Sequence, residues 1–341
     1  MNSEQLSLAL EPILNARKVP MILGAPGVGK SDIIKQKANK AKLKLIDVRL
    51  SQCDPVDLNG FPKLSGDKAT YVPMDVFPLS TTPIPDGYKG WLLFLDEINS
   101  ASKAVQAAAY KIVLDRMVGQ YSLHDKVYIV CAGNRVEDNA VVQELSSALK
   151  SRLITLNLEP DAESWLKWGY THNIDSNILG FIDFNKDALH CFDPDSSVNS
   201  YACPRTWSML SDVLRFIPKD KLKETAYTSL IEGCIGNKAQ EFISYVECAK
   251  FIPKIEDILA GNVSTLEVYK PGVKTTIISY INTHSNMITT EQEASNVYNY
   301  IQSFGKEYTM SFLLYAPIAN PELLTRFNAF REGFKDMAEW I

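Results

Sequence analysis

The stretch that decides the fold is MILGAPGVGKSD, Met21–Asp32. An apolar run stops at three glycines and a proline, and a lysine and a serine follow at once. Such a segment is either a flexible turn between a strand and a helix or a cradle for phosphates. Gly24, Ala25, Pro26, Gly27, Val28, Gly29, Lys30 and Ser31 fit the spacing G-x-x-x-x-G-K-S/T. Glycines let the backbone curl so that successive N–H groups face one anion. A helix opening at Lys30 aims its positive end at the same point. In that reading Lys30 reaches the β- and γ-phosphates and the Ser31 hydroxyl ligates Mg2+. Chance produces this pattern on the order of once per hundred chains of this length.

Outward from that loop, the pattern is a strand alternating with helices. VPMIL (19–23) is short, apolar and bounded by glycine, as a buried parallel strand is. LKLIDVRL (43–50), GWLLFLDE (90–97), KVYIVCAGN (126–134) and RLITLNL (152–158) supply four more strands. Helical periodicity lies between them, as in 102–118, and precedes them in 3–16, where Leu6, Leu8, Leu10, Ile13 and Leu14 are the apolar positions. This predicts an α/β fold with a parallel five-stranded sheet. After about residue 160 helical patterns dominate. We read 1–160 as the nucleotide-binding domain, 161–262 as a separate all-helical domain, which the resemblance stated below makes a lid, and 263–341 as a C-terminal helical extension.

A phosphate site needs an acid at a second strand end. In WLLFLDEIN, Leu92 to Leu95 deliver Asp96 and Glu97 to a carboxyl edge, where open α/β sheets bind ligands. Asp96 would hold Mg2+ and Glu97 would polarise the attacking water as general base. The competing reading, a solvated acidic turn, loses force once the phosphate loop stands beside it.

The bulk properties bound the rest. The chain has 341 residues, 46% hydrophobic and 22% charged, enough for a sizeable core. A net charge of −5 argues against a broad grip on nucleic acid but leaves room for a local basic groove. The six cysteines (53, 131, 191, 203, 234, 248) form no C-x-x-C pair, so they read as reduced thiols of a cytoplasmic protein. The four histidines show no zinc spacing. The N-terminus lacks the pattern of a signal peptide, and no apolar run approaches a membrane span.

These residues resemble the AAA+ ATPases. The segment 97–119 resembles that of MoxR-type and dynein-related members, in which the acidic strand leads into a helix and a short hairpin. QCDPVDLNGFP (52–62) resembles the D-x-x-D-L-x-G stretch of that clade, which contributes to the ring's central face. VCAGNRVED resembles the sensor strand and implies that Asn134 orients the attacking water. LSSALKSRLITLNL (145–158) resembles the box carrying an arginine finger, at Arg152; CPRTW (203–207) resembles the second sensor, at Arg205. The resemblance spans roughly residues 5–260 and implies ATP as substrate. It also implies a homo-oligomeric, hexameric ring and a protein client that the ring remodels or activates, in this clade often one with a von Willebrand factor A-type domain. A nucleic-acid motor or loader, and an ATP-gated assembly scaffold, are the alternatives. Three stretches depart from the clade: the insert hairpin, GQYSLHDKV (119–127), is short, and two others differ more. The segment 61–90 reads as a long loop with five prolines, and 263–341 matches nothing recognisable. Tyr269, Tyr298, Tyr300 and Tyr308 read as core or interface residues rather than a base-stacking platform.

Overall fold

The chain is described by a computed structural model covering residues 1–138, 143–193, 199–218, 221–248, 252–263 and 270–340. Met1–Glu159 form one compact unit, and the chain from Pro160 onward supplies most of a second.

The first unit opens with α1 (Ser3–Asn15), capped by Asn2 in a reciprocal capping box with Gln5. Next come β1 (Val19–Leu23), α2 (Lys30–Lys40), β2 (Lys44–Arg49), α3 (Pro55–Asn59) and a hairpin of β3 (Phe61–Ser65) and β4 (Lys68–Val72). Then follow β5 (Trp91–Asp96), α4 (Lys103–Asp115), a small hairpin of β6 (Met117–Val118) and β7 (Tyr121–Ser122), β8 (Val127–Gly133), α5 (Ser147–Lys150) and β9 (Leu153–Asn157). The sheet order is β2-β5-β8-β1-β9, and every pairing in it is parallel.

Period-two alternation gives this sheet two apolar faces. Met21, Leu93, Leu95, Ile129 and Cys131 pack with Val105, Ala109 and Ile112 of α4 on one side. Ile22, Leu92, Phe94, Val130 and Ala132 pack with Leu6, Leu10 and Leu14 of α1 and Ile34 of α2 on the other. All six residues of β5 are buried, as a central strand covered on both faces requires. Each large apolar side chain so covered contributes about 1.5–3 kcal/mol. Leu8, expected among the apolar positions of α1, is 72% exposed; the buried stripe runs through Leu6, Leu10 and Leu14 at one-turn spacing instead.

The stretch 61–90 is not wholly loop. Its first part folds as the β3–β4 hairpin, registered from Phe61↔Val72 to Ser65↔Lys68. Gly66, at φ 61°, and Asp67 make its two-residue turn, a short-range hairpin signal present in the sequence. The helix read to residue 118 stops at Asp115, because Arg116 turns left-handed at φ 53°.

The second unit holds α6 (Ala162–Thr171), α7 (Ser176–Phe184), α8 (Pro204–Leu214), α9 (Thr225–Ile235), α10 (Ala239–Cys248) and α11 (Ile255–Ala260). It continues with α12 (Pro271–Thr283), α13 (Glu291–Gln302), α14 (Lys306–Ala319), α15 (Leu323–Arg326) and α16 (Asn328–Trp340). One core gathers Phe181, Trp207, Phe242 and Tyr245, with Phe181 and Phe242 edge to face at 5.5 Å between centroids. A second gathers Ile277, Ile281, Val297, Ile301, Phe312 and Phe330. Tyr298 and Tyr300 are buried in that second core, and Tyr308 packs against it. Tyr269 lies outside the described residues. Helix α7, which the sequence reading did not mark, meets α12 closely because Gly180 has no side chain. A Cβ there would stand 2.8 Å from Thr276 Cα. Among the described residues no helix is long and apolar enough to cross a membrane.

Candidate active site

The parallel sheet brings three strand ends together. β1 ends at Leu23, β5 at Asp96 and β8 at Gly133, and β1 lies between β8 and β9. The chain leaves β1 for the far edge at β2 and returns to it on the other side through β9. That reversal marks the crevice where open α/β sheets take ligands.

The loop from Gly24 to Gly29 fills this crevice. Gly27 and Gly29 have φ of 78° and 93°, a region closed to most side chains. A Cβ on Gly29 would meet nothing within 4 Å, so its requirement is conformational and the space beside it is open. On Gly24 a Cβ would stand 2.9 Å from Leu158 O; there the requirement is close approach. Helix α2 starts at Lys30 with Gly29 as a cap that offers no side chain, so the first-turn amides point into the crevice. Gly27 and Gly29 donate to no carbonyl among the described residues.

The Lys30 amine donates to Gly24 O at 2.6 Å, Ala25 O at 3.1 Å and Asn134 Oδ1 at 3.0 Å. It therefore ties the loop to the end of β8. The Ser31 hydroxyl donates to Asp96 Oδ2 at 2.9 Å, and the Glu97 amide donates to Asp96 Oδ1 at 2.9 Å. Asp96 is 7% exposed, and these two donors satisfy both of its oxygens. Glu97 sits at φ 57°, a left-handed kink that is uncommon for a residue with a side chain.

Ser31 and Asp96 are hard oxygen donors in contact, the kind of set that completes a Mg2+ shell together with water and phosphate oxygens. The residues fit that ion. Among the described residues no cluster of three or more His, Cys, Asp or Glu suits a metal, and a phosphate-bound Mg2+ needs none.

Four residues that the sequence reading does not single out shape this centre. Ser51, just past β2, donates its hydroxyl to Glu97 Oε2. Asn99, 5% exposed, donates from Nδ2 to Asn134 O at 2.7 Å and accepts at Oδ1 from the Asn134 amide at 3.2 Å. It thus clamps Asn134 from β5's side. Gly133 makes room, because a Cβ there would lie 2.2 Å from Asn99 Oδ1. Asp47 on β2 has its carboxyl pushed above the usual range, first by partial burial and next by the nearby Asp96 charge. Arg49 opposes that shift and Glu97 adds to it.

The two arginines are placed differently. Arg152 precedes β9, whose Leu153 is in register with Val19 and whose Asn157 is in register with Leu23. It therefore lies at the entry end of the strands, on the order of 15 Å along the sheet from the phosphate loop. Its guanidinium donates to the Tyr110 hydroxyl at 3.3 Å. Arg205 is exposed in the first turn of α8, in the second unit.

Residues 20–153 match the AAA domain of the dynein-related subfamily, and the first unit of this chain is a AAA domain of that kind. That family is one of nucleotide-binding ATPases. A comparison with curated proteins finds no match. Among solved structures the chain is similar to the Thermotoga maritima RuvB Holliday junction branch migration motor: 19% identity, 79% of this chain and 85% of that one, TM-score 0.37. A RuvB mutant of the same organism gives 18%, 79%, 85% and 0.39. A protein of Cytophaga hutchinsonii assigned as an ATPase gives 12%, 87%, 80% and 0.35. Likenesses this distant say nothing about the activity or partners of this chain.

Proposed function

We propose that the chain is an ATP-hydrolysing AAA+ protein of the MoxR-like type that works as a ring and remodels or activates a protein client. The observation that supports it best is the convergence of the Lys30 amine, the Ser31–Asp96 pair, Glu97 and Asn134 at the ends of β1, β5 and β8.

In this reading the amides of Gly27 and Gly29 and the Lys30 ammonium hold the β- and γ-phosphates. Ser31 and Asp96 hold Mg2+, which neutralises phosphate charge when bound. Glu97 takes a proton from the attacking water. Asn134, held rigid by Asn99, orients that water. Arg152 is too far along the sheet to reach the nucleotide of its own chain, so it serves the site of the next copy. There it offsets the charge that spreads over the transferred phosphoryl group. Arg205 carries nucleotide state to the helical unit, in which 161–262 acts as lid and 263–341 as an extension.

The test is turnover against protein concentration. Rate per chain should climb as copies assemble. Arg152→Ala should abolish the climb, and mixing Arg152→Ala with Lys30→Ala should restore part of it, since each supplies what the other lacks. Turnover per chain that stays flat with concentration, or that survives Arg152→Ala, overturns the trans assignment. Capture of a client by the Glu97→Gln chain with ATP, and not by Lys30→Ala, tests the remodelling role.

A further inference from the structure

At the end of the sheet opposite the phosphate loop, nearly every strand is entered past a cation. Lys42 and Lys44 stand at β2, Lys89 at β5, Lys126 at β8, and Arg17 with Lys18 at β1. All six are exposed. The lysines are not scattered. The Lys89 amide donates to Lys42 O at 2.7 Å, the Lys44 amide to Gly90 O at 2.9 Å and the Trp91 amide to Lys126 O at 3.0 Å. A Cβ on Gly90 would lie 2.3 Å from Lys126 O. One hydrogen-bonded ladder therefore brings four ammonium-bearing residues onto three adjacent strands, which lie about 4.8 Å apart.

Two guanidiniums adjoin them. Arg17 and Arg116 both donate to a single carbonyl, Val127 O, at 3.4 and 2.7 Å. Burial first, and then the nearness of Arg17, push Arg116 below the usual arginine range, while Asp125 opposes them. Among the described residues none of Lys42, Lys44, Lys89 and Lys126 forms an ion pair.

The bland explanation is helix-end compensation. Helices α1, α2 and α4 all finish at this edge, and Arg17, Lys42 and Arg116 occupy left-handed positions just past them, at φ 56°, 55° and 53°. Cations are favoured at such ends. Each end carries about half a negative charge, so three ends offset about 1.5 charges. Asp86, Asp115 and Asp125 offset three more. Seven cations exceed that sum, and Lys44, Lys89 and Lys126 are not at helix ends.

We propose that this strand-entry edge is a docking surface for nucleic acid, gripped through its phosphodiester backbone without base readout. Protein interfaces are depleted of lysine and built around apolar anchors, whereas this edge is lysine-dominated. Flexible ammonium groups in a row suit regularly spaced phosphates, and release of their counterions drives such binding. In a chain of net charge −5 the grip stays local, with acidic surface elsewhere limiting non-specific coating. The inference stands on this edge alone and does not depend on the ATPase reading.

The experiment is fluorescence anisotropy with a labelled mixed-sequence DNA duplex and its single strand, at several salt concentrations. The full chain should bind one or both at low salt, with log affinity falling linearly in log salt. Combining Lys44→Glu, Lys89→Glu and Lys126→Glu should weaken binding more than about tenfold and reduce the salt slope by about three. The glutamine triple should lie between. Thermal melts and ATP turnover of both triples report on folding, and the neutral set stands in if the charge-reversed chain is unstable. Absence of binding at low salt overturns the proposal. So does affinity unchanged in a folded triple, or displacement of the duplex more readily by poly-glutamate than by unlabelled DNA, which would mark the edge as a site for acidic protein.

Discussion

Both units of this protein bury polar side chains, but they use them differently. In the first unit Asp96 and Asn99 are buried just at and beyond the end of β5, and their side-chain hydrogen bonds hold Ser31, Glu97 and Asn134 around the phosphate loop. In the second unit several buried or half-buried polar groups lie between helices and pair with one another. Tyr170 pairs with Ser279 at 3.0 Å, Tyr245 with Thr275 at 3.0 Å, and Ser311 donates to Asp183 at 2.8 Å. Burial raises the Tyr170 and Tyr245 phenols well above their usual range, so both stay neutral at any working pH. The first set is positioned for chemistry. The second fixes which helix faces meet.

The sharpest way to break that contrast is to remove a charge from each set. Glu97→Gln keeps the shape of the site and removes the base. Turnover should fall by about 10²–10⁴, with ATP affinity retained in a filter-binding assay and the melting temperature nearly unmoved. A stability loss as large as the activity loss would place Glu97 among structural groups and erase the distinction.

Two glycines sharpen it. In Gly133→Ala the new methyl collides with Asn99 Oδ1 and with Met21 Cε at 2.9 Å. Asn99 must leave, and the Asn134 amide and carbonyl lose a partner, at roughly 1–3 kcal/mol for each group left unpaired. In Gly180→Ala the methyl meets the Tyr245 hydroxyl at 2.7 Å and Thr276 Cα at 2.8 Å, spreading α7 from α12 at a similar cost. Denaturant titration should show both variants destabilised by a few kcal/mol. Turnover per folded chain should drop only for Gly133→Ala, because only there does the lost contact hold Asn134.

How much of the molecule was legible beforehand depends on how local each signal is. The strands were readable because Trp91–Asp96 and Val127–Gly133 are continuous apolar runs closed by polar residues, and a buried parallel strand needs nothing else. The phosphate loop was readable because its residues are neighbours in sequence. Ser51 and Asn99 were not, because each acts on a residue brought beside it by folding: Glu97 lies 46 positions from Ser51, and Asn134 35 from Asn99. The β3–β4 hairpin was lost among the prolines of 61–90 although Gly66-Asp67 marked its turn. The strand-entry cations were invisible as a group, because only the sheet order makes Lys44, Lys89 and Lys126 adjacent.

A smaller effect is expected at Ser51. Its hydroxyl occupies Oε2, one of the two oxygens with which Glu97 could take a proton, and so competes with water for the base. Ser51→Ala should raise basal turnover by a few-fold, the size of one exposed hydrogen bond of about 0.5–1.5 kcal/mol. Ser51→Thr should restore the original rate. A fall in turnover on Ser51→Ala would mean that the hydroxyl orients the base instead of detaining it.

The smallest effect separates the units by pH alone. Asp183 has its carboxyl raised above the ordinary value, chiefly by burial; the Ser311 hydroxyl and then Lys186 pull it down, and Glu163 and Glu307 push it up again. The folded state therefore holds the Asp183 proton more tightly than the unfolded state does. That gives stability present in full below the unfolded value of about 3.9 and lost as pH rises through the folded value. Above the folded value the ionised carboxylate is a burden the fold carries. Asp183→Asn removes the charge and keeps an oxygen to accept from Ser311, so it should raise the melting temperature at pH 7. A change of about 1 kcal/mol moves a unit of this size by about 2–4 °C, so a few degrees or less is the scale. The gain should shrink as pH is lowered toward the ordinary carboxylate range, where both chains are neutral at this position. A gain that persists there, or a loss at pH 7, would mean that Asp183 works through a charge partner and belongs with the site-forming polar groups after all.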